Sequence, residues 1–404
     1  MKVYLSACGM GVGHIVRCEL IGEALTARGS DVIYSTYSDG EQYADRRRMP
    51  RISTVPLSLC MDADGAVDFK RTAATHPGFF RGIWLIIRQI VAEIRNIQAC
   101  RPDVVVSDSR VSSVLASKLL RVPTVLVLNQ YSIFLSKRSN QSKESVMDRV
   151  FFLVANTVWV FVRIIIGEFW SLADRIVIPD LPPPNTLSLQ NLLFPSRHRH
   201  KVDFVGPLVR VPSCQREDTV LSRRELGLSQ DKPLVFVPVS MPHPVRASFI
   251  RTFEGVLSEM REYEIVLSRC IVGETSPPTR NGNLLVYDWI DDPSEFFSAC
   301  DVVVCRAGHG TIMAAILAGK PMVIVPIPNH PEQIRNSMRA SALGVARVLP
   351  QSELDSQRLR SAIEEVLEDK GFAKRASEIQ EAACHLDGLQ STLDVIDALG
   401  AKSD

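Results

Sequence analysis

Arg306, Gly308, Gly310 and Thr311 stand together in the string Asp301-Val-Val-Val-Cys-Arg306-Ala-Gly308-His309-Gly310-Thr311, where a run of valines gives way to a glycine turn. Glycine has no Cβ, so backbone N–H groups there can come close to an anion. Thr311 offers a hydroxyl where an apolar helix should begin, and the free N–H groups and positive dipole end of a helix N-terminus favour phosphate. Arg306, at the strand end, adds charge-assisted hydrogen bonds. A second apolar strand, Met322–Pro326, is followed by Asn329-His-Pro-Glu332-Gln333-Ile-Arg-Asn336, whose carboxylate and amide groups suit sugar hydroxyls. A glycine turn by itself is also compatible with simple packing. The ordered series of turn, strand and polar string instead points to a diphosphate with a sugar beside it.

These residues need a scaffold, and length and composition bound it. The chain has 404 residues, too many for one typical domain, and its 46% hydrophobic and 23% charged residues are ordinary for a globular protein. A formal net charge of +1 gives no bulk reason to expect a nucleic-acid partner. The nine cysteines are scattered without a C-x-x-C pair, several inside apolar runs. They read as reduced thiols in a cytoplasmic protein. The N-terminus, Met1-Lys-Val-Tyr-Leu-Ser-Ala-Cys8, is too short in its apolar part for a signal peptide and reads as a first strand.

Strand-like apolar runs alternate with helical patterns along the whole chain. Val3–Ala7 leads into Gly9-Met-Gly11-Val-Gly13-His14 and a helix from about 16 to 28. Further strands are expected at 31–35, 103–107, 122–128 and 175–179, with a helix over 111–120. Near-continuous Val/Ile runs indicate parallel strands buried on both faces, an α/β class. Ligands of such sheets bind at the carboxyl ends of strands, where Gly9–His14, Asp108 and Asn129-Gln130 all lie. The pattern breaks near Val205-Gly206-Pro207. Beyond a polar stretch it resumes with strands at 233–237, 265–267 and 284–287. The expected architecture is two doubly wound, Rossmann-like domains facing a central cleft, residues 1–207 and 208–404. The tail from 353 to 399 reads as helical, its last segment docking back on the N-terminal domain.

The segment from Tyr287-Asp-Trp289-Ile290-Asp-Asp-Pro through Asn336, together with the Gly9–His14 turn, resembles GT-B glycosyltransferases. The likeness is to MurG-type (family 28) enzymes and, more widely, to UDP-glucuronosyl- and UDP-glucosyltransferase-like enzymes. It is specific over residues 8–25 and 285–340. The resemblance implies an inverting enzyme that uses a UDP-sugar, holds no metal or other cofactor tightly, and places its acceptor on the N-terminal domain. By that resemblance the backbone of Trp289 and Ile290 flanks the uracil, and Arg306 lies near the diphosphate. Gly308, His309, Gly310 and Thr311 form the phosphate turn, and Glu332 and Gln333 read the donor-sugar hydroxyls, followed by Asn336. Ser240 matches the end of a Gly-Gly-Ser turn that here reads Pro238-Val-Ser240. Gly11, Gly13, Asn129 and Gln130 fall on the acceptor side. Ala314 departs from the pattern, since most relatives carry a glutamate there that grips the ribose.

Inverting transfer needs a base to take the acceptor proton as it attacks the anomeric carbon. The resemblance assigns that role to His14, oriented by Asp108. The plainer alternatives are a capping or phosphate-neighbouring role for His14 and a helix N-cap for Asp108. Asp62-Ala-Asp64 has a metal-pair spacing but reads as a surface turn. His198-Arg-His200 reads as a solvated basic loop, so no metal site is expected.

Two apolar stretches bear on the acceptor. Residues 79–97 form a helical pattern with Arg81, Arg88 and Arg95 on one side, and Val150–Ile166 is apolar save for Asn156, Thr157 and Arg163. The latter sits at the lower length limit for spanning a bilayer of roughly 30 Å. A span there would split the N-terminal sheet. The preferred reading is an interfacial surface for a lipid- or polyprenyl-linked acceptor at the inner membrane face, with two buried core helices as the alternative. The expected function is transfer of a hexose or N-acetylhexosamine from a UDP-sugar to an acceptor hydroxyl. An enzyme like the UDP-GlcNAc 2-epimerases, and a catalytically degenerate nucleotide-sugar-binding subunit, are the other readings.

Overall fold

A computed structural model describes residues 1–57, 79–131, 146–210, 223–240, 243–273 and 276–401. The Asp62–Asp64 pair lies outside them.

The N-terminal half runs β1 (Lys2–Ala7), α1 (Gly13–Ala27), β2 (Asp31–Thr36), α2 (Asp39–Arg46), β3 (Arg51–Ser53), α3 (Phe79–Cys100), β4 (Val104–Asp108), α4 (Val111–Leu120), β5 (Thr124–Val127), α5 (Val146–Trp170), β6 (Arg175–Ile178) and β7 (Val202–Phe204). Its seven strands form one sheet in the order β3-β2-β1-β4-β5-β6-β7, every pair parallel. Helices cover both faces, which is why the strands read as unbroken Val/Ile runs; Val104, Val105 and Val106 are completely buried. The edge strands β3 and β7 span only three residues each, too few to leave a period in the sequence.

The C-terminal half runs β8 (Leu234–Pro238), α6 (His243–Ser258), β9 (Glu264–Ser268), β10 (Thr279–Asn281), β11 (Leu284–Tyr287), α7 (Ser294–Ala299), β12 (Val302–Cys305), α8 (His309–Leu317), β13 (Met322–Ile324), α9 (Pro331–Ala342) and β14 (Ala346–Val348), then α10 (Ser356–Glu368), α11 (Lys370–Cys384) and α12 (Gly388–Gly400). The sheet order is β10-β11-β9-β8-β12-β13-β14, parallel except for the antiparallel edge β10.

Each sheet reverses its strand order once, between β1 and β4 and between β8 and β12. Connections leave to opposite faces at such a point, and a crevice opens at the carboxyl ends of the two strands. His14 and Asp108 stand at the first crevice. Ser240 and the Arg306–Thr311 turn stand at the second.

The halves are joined by more than the link at 205–207. After β6 the chain leaves the N-terminal sheet, and Leu181 and Leu187 enter the core built around Phe236, Phe296 and Ile312. Arg339 donates to the carbonyl of Thr186 at 2.9 Å and to that of Pro184, and Arg375 donates to Asn185 Oδ1 at 3.2 Å. Residues 180–194 therefore form a strap on the C-terminal half. In return, α12 packs against α1 and β4 and buries Leu393 and Ile396 in the N-terminal core. The crossings touch: a Cβ on Gly388 would lie 2.5 Å from the Pro207 carbonyl oxygen, and one on Gly206 2.8 Å from Leu386 Cβ.

Cys8, Cys18, Cys100, Cys300 and Cys305 are buried free thiols, whereas Cys384 is disulfide-bonded. The expectation of uniformly reduced cysteines fails at Cys384, because pairing follows neighbours in space that spacing along the chain does not reveal. Among the described residues no helix is long and apolar enough to cross a membrane. The outer face of α5 is nevertheless open to solvent, with Leu153 69% and Phe161 64% exposed, and Trp84 on α3 is 51% exposed. These faces are not buried core.

Candidate active site

At the β1/β4 crevice, α1 follows the glycine turn at once. Gly11 takes a left-handed φ of +79° and donates its N–H to Asp39 Oδ2 at 3.1 Å, and Gly13 opens the helix. His14 then projects its Nδ1 to 2.7 Å from Asp108 Oδ1. Arg17, one turn further along α1, places Nε 2.7 Å from Asp108 Oδ2 and Nη2 2.7 Å from Oδ1. Burial alone would raise the Asp108 pKa, but the charge of Arg17, then His14 and the hydrogen bonds from both, bring it down to about 2. The ionised carboxylate accepts from Nδ1–H, so Nε2 is the ring nitrogen left to take a proton. The His14 side chain is 26% exposed. The capping alternatives do not describe this geometry. Val12 is the N-cap of α1 and Arg110 that of α4, while both Asp108 oxygens are taken by His14 and Arg17. Sequence reasoning missed Arg17. Its signal was the i+3 spacing from His14, which puts both on one helix face.

At the β8/β12 crevice, Arg306 follows the end of β12, Ala307 turns the chain with a φ of +61°, and Gly308 is the N-cap of α8 with no side-chain cap. The first N–H groups of α8 thus lack a side-chain acceptor. A Cβ on Gly308 or Gly310 would meet nothing closer than Thr311 Oγ1 at 3.8 Å or Val209 Cγ1 at 3.7 Å, so the space in front of the helix is open. Arg306 is 2% exposed. Its guanidinium lies 3.9 Å from the Phe249 ring centre and donates through Nη2 to Gln351 Oε1 at 2.6 Å. Among the described residues Nε and Nη1 have no partner, and burial pulls the pKa down to about 9.

The polar string on α9 divides. Gln333 turns inward, accepting from the Ile327 N–H at 2.9 Å. Asn336 is fully buried, donating to the Ala307 carbonyl at 3.2 Å and accepting from Asn191 Nδ2 at 3.1 Å. Gln333 braces the segment after β13, and Asn336 braces the Arg306–Thr311 turn and the strap. Glu332 instead meets the N-terminal half, where Asn129 Nδ2 donates to its Oε1 at 2.9 Å. The His309 ring is buried against Asp180 of the strap, Nε2 to Oδ2 3.2 Å, leaving its backbone at the turn.

Trp289 packs across the halves, edge-on to Tyr43 with 5.6 Å between ring centres, and its indole donates to Asp291 Oδ1 at 3.0 Å. Ile290 packs on the C-terminal core. Ser240 and Gln130 are half-buried just beyond β8 and β5. His198 pairs with Glu168 at 3.2 Å, and the described residues contain no group of three or more His, Cys, Asp or Glu able to hold a metal.

Two Rossmann-like halves, each with one crevice facing the other, define the GT-B architecture. Among solved structures, the glycosyltransferase VinC in complex with dTDP is similar to this chain with a TM-score of 0.60 and 16% identity, covering 100% of both chains. Residues 256–390 match the glycosyltransferase family 28 C-terminal domain. An uncharacterized glycosyltransferase of Methanosarcina acetivorans is 25% identical over 407 residues, covering 96% of each chain. A UDP-N-acetylglucosamine–N-acetylmuramyl-(pentapeptide) pyrophosphoryl-undecaprenol N-acetylglucosamine transferase of Corynebacterium efficiens is 27% identical over 198 residues, 46% of this chain and 54% of the relative. The chain is a glycosyltransferase of GT-B architecture whose C-terminal half resembles the family 28 domain.

Proposed function

We propose that this glycosyltransferase moves a hexose or N-acetylhexosamine from a UDP-sugar to a hydroxyl of a lipid-linked acceptor, with inversion. The observation that carries the donor half is Arg306. A guanidinium buried with no carboxylate among the described residues, its Nε and Nη1 unpartnered among them beside an uncapped helix start, is a charge suited to an anion. A diphosphate fits that demand, and as leaving group it develops charge that the helix N-terminus and Arg306 stabilise. His14 Nε2 takes the acceptor proton while Asp108 holds the ring and offsets the imidazolium charge. The acceptor oxygen then attacks the anomeric carbon as the bond to the diphosphate breaks.

The choice of uridine rests on the Corynebacterium relative's name, and that name also includes an undecaprenol-linked acceptor. The apolar outer faces of α3 and α5 support a lipid surface, with the Arg88 guanidinium 4.7 Å from the exposed Trp84 ring as a cation at its rim. Ala314 is buried in the C-terminal core, so no acid grips the ribose from that position.

Thermal-shift measurement against UDP, GDP and dTDP and their sugars tests the donor, since a ligand of the folded state raises its stability by mass action. A shift with uridine nucleotides is the expected result, and none with any of them sinks the donor assignment. Flotation with anionic vesicles tests the surface: the wild type floats, and Leu153→Glu with Phe161→Glu stays in solution.

A further inference from the structure

We propose that Asn129 is a positioning residue for donor-sugar recognition, holding the Glu332 carboxylate from the opposite half of the molecule. The inference rests on the reading of the donor as a nucleotide sugar. It goes beyond that reading by giving an acceptor-half residue a part in sugar selection.

Of Glu332, Gln333 and Asn336 on α9, Gln333 accepts from a backbone N–H of its own half and Asn336 is held between the Ala307 carbonyl and Asn191 of the strap. Glu332 is the one whose head group reaches across the cleft, and Asn129 meets it at 2.9 Å over a sequence separation of 203 residues. A glutamate in the first turn of a helix has three side-chain torsions to fix, and left alone its carboxylate samples many positions. Asn129 sits just past β5, only 6% exposed, so its short amide is placed by the sheet itself. One amide N–H on Oε1 fixes the carboxylate plane and leaves Oε2 to accept a hydroxyl. Val127 lies in register with Asp108 on the neighbouring strand, so Asn129, two residues further on, holds the carboxylate on the side of the sheet end where the His14–Asp108–Arg17 group stands. A sugar held there presents its reacting carbon to the base. The diphosphate contacts proposed for Arg306 and the start of α8 involve no atom of Asn129.

This arrangement predicts a split between sugar and nucleotide. Titration calorimetry on the full chain with UDP, UDP-GlcNAc and UDP-glucose reads it directly. In the wild type the tighter-binding sugar nucleotide exceeds UDP in affinity. In Asn129→Ala that ratio falls by about tenfold, the size of one charge-assisted hydrogen bond, while UDP affinity stays within about twofold, which also reports an intact fold. Asn129→Asp, the same size but a like charge, lowers the ratio further and serves if the alanine variant does not fold. An unchanged ratio in both variants overturns the proposal. Equal losses for UDP and the sugar nucleotides also overturn it, since they mark a merely structural residue, and so does a wild type that gains nothing from either sugar. A wild type that binds no uridine nucleotide refutes the donor reading instead, and the same ratio is then measured with dTDP and its sugars.

Discussion

At the β1/β4 crevice Asp108 is matched on both oxygens, by a histidine and a forked guanidinium, whereas at the β8/β12 crevice Arg306 is as deeply buried with Nε and Nη1 unmatched among the described residues. The same topological feature is thus finished in two ways. A buried charge with full partners is settled in the empty protein and organised in advance for proton transfer. A buried cation with no facing carboxylate among the described residues and only part of its guanidinium hydrogen-bonded costs stability in the empty protein, a cost that an anion would offset. The first crevice is complete as it stands, and under the proposed function the second is completed by the donor.

Removing His14 tests the prepared side most severely. His14→Ala should lower kcat by about 10²- to 10⁴-fold, with UDP affinity unchanged in calorimetry, and full activity would end the general-base assignment. Next in size is a paired contrast by chemical denaturation. Arg17→Leu strands Asp108 in the core and should cost about 3–5 kcal/mol. Arg306→Leu should leave the empty protein as stable as the wild type or more so, while UDP affinity falls at least about tenfold. Equal destabilisation by the two changes would break the comparison.

The pH response gives a smaller, signed test. Asp108 has its folded pKa depressed to about 2, below an ordinary value of about 3.9. Its contribution is therefore fully present above about pH 4 and is lost as the pH falls through the folded value. The loss is on the order of 2 kcal/mol. Asp108→Asn should lack that part of the acid slope in denaturation curves between about pH 4 and 2.

Much of this was legible from residue order because both sheets are parallel and doubly covered, so their strands announce themselves as Val/Ile runs and their carboxyl ends as turns. His14 and Asp108 lie at such ends, and sheet topology brings them together. What could not be read was the direction of side chains whose partners come from distant segments. Gln333, Asn336 and His309 belong to a motif that reads as ligand-facing. The structure turns all three inward, because Ile327, Ala307, Asn191 and Asp180 supply partners there. The strap that carries Asn191 and Asp180 is a proline-rich irregular segment with no period. Arg17 was hidden for the opposite reason: an arginine on a helix is ordinary until its carboxylate is known.

Because Gly388 touches the backbone at Gly206 and Pro207, the two chain crossings there act as a single pin. Swinging one half about that pin changes a few torsions, but sliding one half past the other would drag covalent chain through a contact with no room for even a methyl group. The contact therefore sets the register of the two halves where their chains cross, and that register is the one in which Asn129 stands opposite Glu332.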